Sequence, residues 1–453
     1  MHAVVYPGGF SGGSICVPGD KSIAHRWLLL AATADGRSEL RGLPQALDVK
    51  ATARCSAKLA PGEARVALDG WASWPSPEAD RDGSTTNDPR PRAVGLVLEA
   101  HGRGGLEAPD GALDCANSGT TMRLLSGLMA SAPFETTLVG DESLSGRPME
   151  RVAEPLRRMG AEIRTTDGHA PLVVRGGDLR GIEHRVQVPS AQVKSAVILA
   201  GLAATGQTTV REAAPTRDHT ERALAALGAP TAFGPGGVTV EAFQHRGFSA
   251  TVPGDVSSGA FLVAASALTG AGLEIRDVGL NPTRIRFLDV LERMGAVVQT
   301  SVERKELGEP VGTLRVEPTR GLVGTMVEAD ELPLVIDEVP VLAFAAACAP
   351  GTSRFAGAGE LKMKESDRLV ALERSIVALG GDARVEGDDL VVGGGGLRGG
   401  RMPASADHRI VMAAAVAALA ARGPTTIHGI EAAEVSFPGF VDVLRALGAE
   451  LEV

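Results

Sequence analysis

Apolar and polar positions along this chain repeat in two recurring pieces. The first is an amphipathic helical stretch that stops at a glycine. It occurs at Leu156–Ile163 (LRRMGAEI), Leu224–Pro230 (LAALGAP), Leu291–Val298 (LERMGAVV), Ile376–Val385 (IVALGGDARV) and Leu444–Val453 (LRALGAELEV). Glycine ends a helix there because it adopts left-handed backbone without a Cβ clash, and most copies then run into a β-rich stretch. The second piece is a polar, often serine-bearing turn followed by about a dozen Ala/Leu-rich residues, the profile of a capped, buried helix. Six such helices are predicted to begin near Lys21–Ser22, Ser118–Gly119, Ser190–Gln192, Asp255–Ser258, Ile336–Asp337 and Ser405–His408. Units of two helices and several short strands, repeated in this way, predict a mixed α/β chain of two pseudo-symmetric halves with three units each. The first unit lacks the glycine ending. Instead, Leu59–Asp110 is rich in Pro, Gly, Asp and Arg, above all over Trp71–Arg92, and reads as a surface insertion.

Composition narrows the partners. The chain has 453 residues, 44% hydrophobic and 22% charged, as expected for a globular protein of two or three domains. A net charge of −10 and an aromatic content of 3% argue against a nucleic-acid partner. The longest apolar runs, Val339–Ala349 and Ile410–Ala421, fall short of the roughly 20 residues of a membrane helix. Met1–Asp20 shows no basic region followed by an apolar one, so a cytoplasmic protein without a membrane partner is expected. Cys16, Cys55, Cys115 and Cys348 are widely spaced, which suits reduced, buried thiols better than a zinc site or disulfides.

If the starts of the buried helices converge, their free N–H groups and partial positive charge make an anion site within an acidic protein. Lys21, Ser22 and Arg26 place an ammonium, a hydroxyl and a guanidinium on the first turn and a half of one helix. This set suits phosphate or carboxylate, with a solvated helix end as the plain alternative. In Asp114–Arg123, the Gly119–Thr120 step lets a ligand approach the backbone, with Asn117 and Thr120 as donors; ordinary capping explains it equally well. Lys364, Glu365 and Arg368 crowd opposite charges on neighbouring helical positions, as acid–base groups do and as surface charge runs also do. Asp337 and Glu338 interrupt an apolar run, where acids are costly unless paired. Asp407–Arg409 opens another apolar helix and adds a cation.

These motifs stand in a telling order: PGDKSIAHR, NSGTTMR, GDESLSGRPM, SAQVKSAV, TRDHTERAL, PGDVSSGAF, NPTR, IDEVP, LKMKESDR and DHRI. The series resembles the EPSP synthase (3-phosphoshikimate 1-carboxyvinyltransferase) family over nearly the whole chain outside Leu59–Asp110. The resemblance implies a two-domain inverse α/β barrel of six βαβαββ-type repeats, three per domain. One domain would comprise residues 1–20 plus 252–453 and the other residues 21–251 with the insertion at 59–110, the active site lying in the cleft between them. It also implies transfer of the enolpyruvyl group of phosphoenolpyruvate to the 5-hydroxyl of shikimate 3-phosphate, by addition and elimination through a tetrahedral intermediate, in the shikimate route to chorismate and the aromatic amino acids. Lys21, Ser22, Arg26, Ser190, Gln192, Arg217, Asp337 and Lys364 would hold shikimate 3-phosphate. Lys21, Asn117, Gly119, Arg147, Gln192, Arg368 and Arg409 would hold phosphoenolpyruvate. Asp337, Glu365 and Lys21 are the implied catalytic groups, with no cofactor, no metal and a monomeric enzyme.

Three positions depart from the family pattern: Ala116 where Gly is common, Ile285–Arg286 where Thr-Gly follows NPTR, and Val435 where some members have a Lys. Two other readings compete. One is the related UDP-N-acetylglucosamine enolpyruvyl transferase, whose lid cysteine is not matched by Cys115 just before NSGT; the other is a non-catalytic anion-binding paralogue, against which the intact Lys21, Asp337, Glu365, Arg368 and Arg409 argue.

Overall fold

The computed structural model describes residues 1–60, 94–319 and 321–453. Among the described residues there are six small sheets, five of four strands and one of three. Each contains one parallel pair of strands extended by antiparallel neighbours. In the unit 113–175, Leu113–Asp114 runs parallel to Glu135–Val139, which pairs antiparallel with His169–Arg175, itself antiparallel to Glu162–Thr166. A parallel pair cannot close through a tight turn, so a helix must carry the chain across, here Gly119–Met129. With Glu150–Met159 as the second helix, this is the expected βαβαββ unit.

The six Ala/Leu-rich helices are Lys21–Ala32, Gly119–Met129, Ala191–Gly201, Val256–Thr269, Val339–Cys348 and His408–Ala418. Five are capped by a side chain that accepts from the first turn: Asp20, Ser118, Ser190, Asp255 and Asp407. They pack into two separate hydrophobic cores with three helices and three sheets in each. One core runs from Ile23 to Val252; the other joins Ala3–Val17 to Val256–Leu451. The chain passes between the cores twice, side by side: Asp20 N donates to Pro253 O (2.8 Å) and Asp255 N to Pro18 O (2.7 Å).

All five glycine-ended helices lead into strands. Three other expectations need correction. Val339, and not Ile336, opens the fifth buried helix, because Pro340 is tolerated only in a first turn; Asp337 lies between this helix and the short turn Leu332–Val335. Lys364 and Glu365 are not helical, since Asp367 caps the helix Arg368–Ala378 by accepting from Val370 N (3.2 Å) and so stops it from extending backward. Leu59–Asp110 is not a single insertion either. Leu59 ends the helix Leu47–Leu59, and Val94–His101 is a strand antiparallel to Asp35–Leu43 that buries Leu96, Leu98 and Ala100. Trp71–Arg92 lies outside the described residues. The four cysteines form no disulfide among the described residues, and Cys16 and Cys348 are only half-buried. Among the described residues, no helix is long and apolar enough to cross a membrane.

Candidate active site

Five of the six buried helices bring their starts, or the turn just before them, to one cavity of about 410 Å³. Lys21 and Ser22, Gly119 and Thr120, and Ser190 and Gln192 enter it from the first core, and Asp337, His408 and Arg409 from the second. The sixth, Val256–Thr269, has its first turn at the chain crossings instead. Convergent helix starts supply positive potential and N–H groups without requiring a basic protein.

Asp337 stands where cations meet. Its carboxylate pairs with Arg217 from the other core and lies 3.8 Å from Lys364 Nζ, 3.7 Å from an Arg368 nitrogen and 3.7 Å from an Arg409 nitrogen. Arg409 also donates to the Asp337 carbonyl (2.8 Å). Burial alone would raise this carboxyl; Arg217, Arg409, Lys364 and Arg368 outweigh it and hold Asp337 well below the usual carboxylate range. Arg217 further donates to Ser22 Oγ (3.4 Å), so one guanidinium links the first helix to Asp337.

Glu365 accepts from Arg368 (2.5 Å) and faces Arg147 at 3.9 Å. Burial acts to raise it, but its cationic neighbours, Arg368 first, keep it ionised. Burial lowers the Lys364 ammonium despite Asp337 and Glu365. It also brings His408, beside Lys21 and Arg409, down to about 3, so this imidazole is neutral. On the opposite wall, Arg147 donates to Asn117 Oδ1 (2.7 Å), Arg123 to Gln192 Oε1 (2.5 Å) and Gln192 to Thr120 Oγ1 (2.8 Å). Lys21 Nζ is held at 2.9 Å by Asp48. Arg26 is fixed through Thr220, Ser195 and the Ser22 carbonyl.

Lys21, Ser22, Arg26, Asn117, Gly119, Arg147, Ser190, Gln192, Arg217, Asp337, Lys364, Glu365 and Arg409 all line the cavity. Arg368 does not. It is buried behind Glu365, bonded to Asp407 (2.8 Å), and its one guanidinium nitrogen without a hydrogen-bond partner faces Asp337. Sequence reasoning missed Asp48, His25, Arg123 and Arg151, which also line it. Asp48 follows the first residue of the helix Leu47–Leu59 and carries no local motif; only its approach to Lys21, 27 residues away, reveals it. Arg123 was visible one turn after Gly119 on a helix already marked as part of the site.

Two three-unit α/β halves with a cation-lined cavity between them form an enolpyruvyl transferase-like fold. The solved enolpyruvyl transferase NikO from Streptomyces tendae shares the fold at TM-score 0.72 and 19% identity, over 100% of this chain and 98% of that one. The EPSP synthase (3-phosphoshikimate 1-carboxyvinyltransferase) family model matches residues 6–67 and 91–444, with its gap inside the expected insertion. A 3-phosphoshikimate 1-carboxyvinyltransferase from Methylococcus capsulatus is 44% identical over 99% of this chain and 97% of its own length. The EPSP synthase structure from Acinetobacter baumannii superposes at TM-score 0.84 with 36% identity and full coverage of both chains. The chain belongs to the EPSP synthase family and is an enzyme of the 3-phosphoshikimate 1-carboxyvinyltransferase type.

Proposed function

We propose that this cleft joins phosphoenolpyruvate to the 5-hydroxyl of shikimate 3-phosphate and releases phosphate, the two halves (1–20 plus 252–453, and 21–251) closing over both substrates. The carrying observation is the Asp337 carboxylate set among Arg217, Lys364, Arg368 and Arg409 in a cavity lined from both cores. Two anionic substrates account for so many cations converging on so few carboxylates. Ser22, Arg26, Ser190, Arg217 and Lys364 hold shikimate 3-phosphate; Asn117, Gly119, Arg147 and Arg409 hold phosphoenolpyruvate; Lys21 and Gln192 serve both. Arg368 acts from behind, through Glu365 and Asp407.

In the addition step Asp337 takes the 5-hydroxyl proton as the oxygen bonds to the central carbon of phosphoenolpyruvate, and the methylene carbon gains a proton. In the elimination step the carbon–phosphate oxygen bond breaks, phosphate leaves, and the methyl returns a proton. Lys21 and Glu365 serve the proton exchange and the leaving phosphate. With the cleft empty, the surrounding cations make Asp337 a weak base; substrate phosphates and carboxylate share those cations and strengthen it where and when it is needed.

Asp337→Asn keeps size and polarity and removes the base. Phosphate release should fall by about 10²- to 10⁴-fold in kcat, with calorimetric binding of shikimate 3-phosphate retained. A variant that keeps more than about a tenth of wild-type kcat would remove Asp337 from this role.

A further inference from the structure

The motif Asn281–Arg284 does not line the cavity, yet Arg284 is buried, 3% exposed, against groups from both cores. Its guanidinium donates to Asp20 Oδ2 (2.7 Å) at the first chain crossing and to Asp255 Oδ1 (2.9 Å) at the second. It also reaches Ser257 Oγ (2.7 Å) and His219 Nε2 (3.1 Å). Each of the two aspartates caps a helix: Asp20 the one that opens with Lys21, and Asp255 the buried Val256–Thr269. Ser257 in turn hydrogen-bonds Glu338, the residue after Asp337. His219 pairs with Glu309 (2.7 Å) on the hairpin formed by Val297–Glu306 and Glu309–Glu317, and Asn281 donates to Glu309 (2.9 Å) and to Asp218 (2.8 Å), next to Arg217. Leu307 at the tip of that hairpin packs on the first core.

Three routes to the cleft, ending at Lys21, Asp337 and Arg217, and a fourth to the hairpin thus meet at one side chain that touches none of the reacting groups. A buried ionic hub is weak support for stability, because desolvation offsets much of the attraction, but its directional bonds define a geometry. The planar fork of the arginine addresses Asp20 through one terminal nitrogen and Asp255 through the other, a fixed geometry that the point charge of an ammonium does not reproduce.

We propose that Arg284 is a positioning residue for the transfer reaction: by tying the two chain crossings together it sets how Lys21 and Asp337 face each other when the halves close. The assignment rests on the reaction proposed above, and wild-type turnover in the same assay reports on that reading separately.

Two variants test it. Arg284→Lys keeps the charge and loses the fork; Arg284→Gln combined with Asp255→Asn removes one charge of each sign, so the net charge of the hub is unchanged. Phosphate release gives kcat and both KM values, thermal unfolding gives the folded state, and calorimetry gives shikimate 3-phosphate binding alone. The expected result is a folded protein whose kcat is down about 100-fold, the scale of loss for an ångström-sized misplacement, with each KM and the binary affinity within about threefold of wild type. A kcat within about tenfold of wild type in the folded variants, or a loss carried by KM with kcat unchanged, overturns the proposal. So does failure of both variants to fold, which would make Arg284 a folding residue only. Silence of the wild-type protein itself would overturn the reaction and not this geometry alone.

Discussion

Ala116 has a φ of +50°, in the left-handed region, at the turn that presents Asn117 and Gly119 to the cavity. There a Cβ costs about 1–2 kcal/mol, part of which a glycine would return as extra freedom of the unfolded chain. Ala116→Gly should therefore stabilise the protein by about 0.5–1 kcal/mol, read from thermal or urea unfolding, with turnover nearly unchanged. An unchanged or lowered midpoint would show that the turn carries no strain. At this scale the sequence reveals caps and cations but not their partners. Ser118 and Ser190 announce themselves because capping is local, whereas Asp48 holding Lys21 and Asp407 holding Arg368 are contacts across long stretches of chain. Lys364 and Glu365 were misread as helical because charge spacing alone does not register the cap that Asp367 supplies.

Among the elements, the helices Gly119–Met129 and Ala191–Gly201 approach closely enough that a Cβ on Gly127 would lie 2.2 Å from the Ala196 carbonyl oxygen. Their starts carry Thr120 and Gln192, which hydrogen-bond each other in the cavity. Gly127→Ala should push these helices apart, costing about 1–3 kcal/mol as overpacking does and raising the KM for phosphoenolpyruvate with it. A fully stable variant with unchanged KM would show that this contact does not set the wall. Element types were legible because the glycine endings and Ala/Leu-rich runs are long and periodic. The strand Val94–His101 was not, because its period-two pattern of Leu96, Leu98 and Ala100 adjoins a Pro- and Arg-rich stretch that outweighs it by composition.

For the whole molecule, the same charge clusters set the response to acid. Burial acts to raise Asp20, Asp48, Asp337, Glu365 and Asp407, but neighbouring cations hold all five below the ordinary carboxylate range. The folded chain keeps them ionised where the unfolded chain takes up protons, so their contribution is complete above about pH 5 and is lost as pH falls through about 4 and below. Asp255, pushed up to about 6 chiefly by burial, and Glu338 run the other way: the folded chain binds their protons first, which favours it as pH falls toward about 4. Burial also holds His25, His184, His245 and His408 below the ordinary imidazole range, so the unfolded chain alone takes up their protons as pH falls through about 6.5; the thermal midpoint should therefore decline from about pH 7 to 5.5 and drop steeply below about 4.5. A midpoint that keeps rising into acid would contradict the ion-pair assignments. The two halves and their three units each were countable from the repeats. The tie between them was not, because Arg284 gains its partners only when residues near 20, 219 and 255 meet.

The measurement that bears most directly on the account is phosphate release by the purified protein with phosphoenolpyruvate and either shikimate 3-phosphate or UDP-N-acetylglucosamine as acceptor. The cleft described here predicts release with shikimate 3-phosphate alone. Release with the nucleotide sugar, or none with either acceptor while shikimate 3-phosphate still binds, would contradict it.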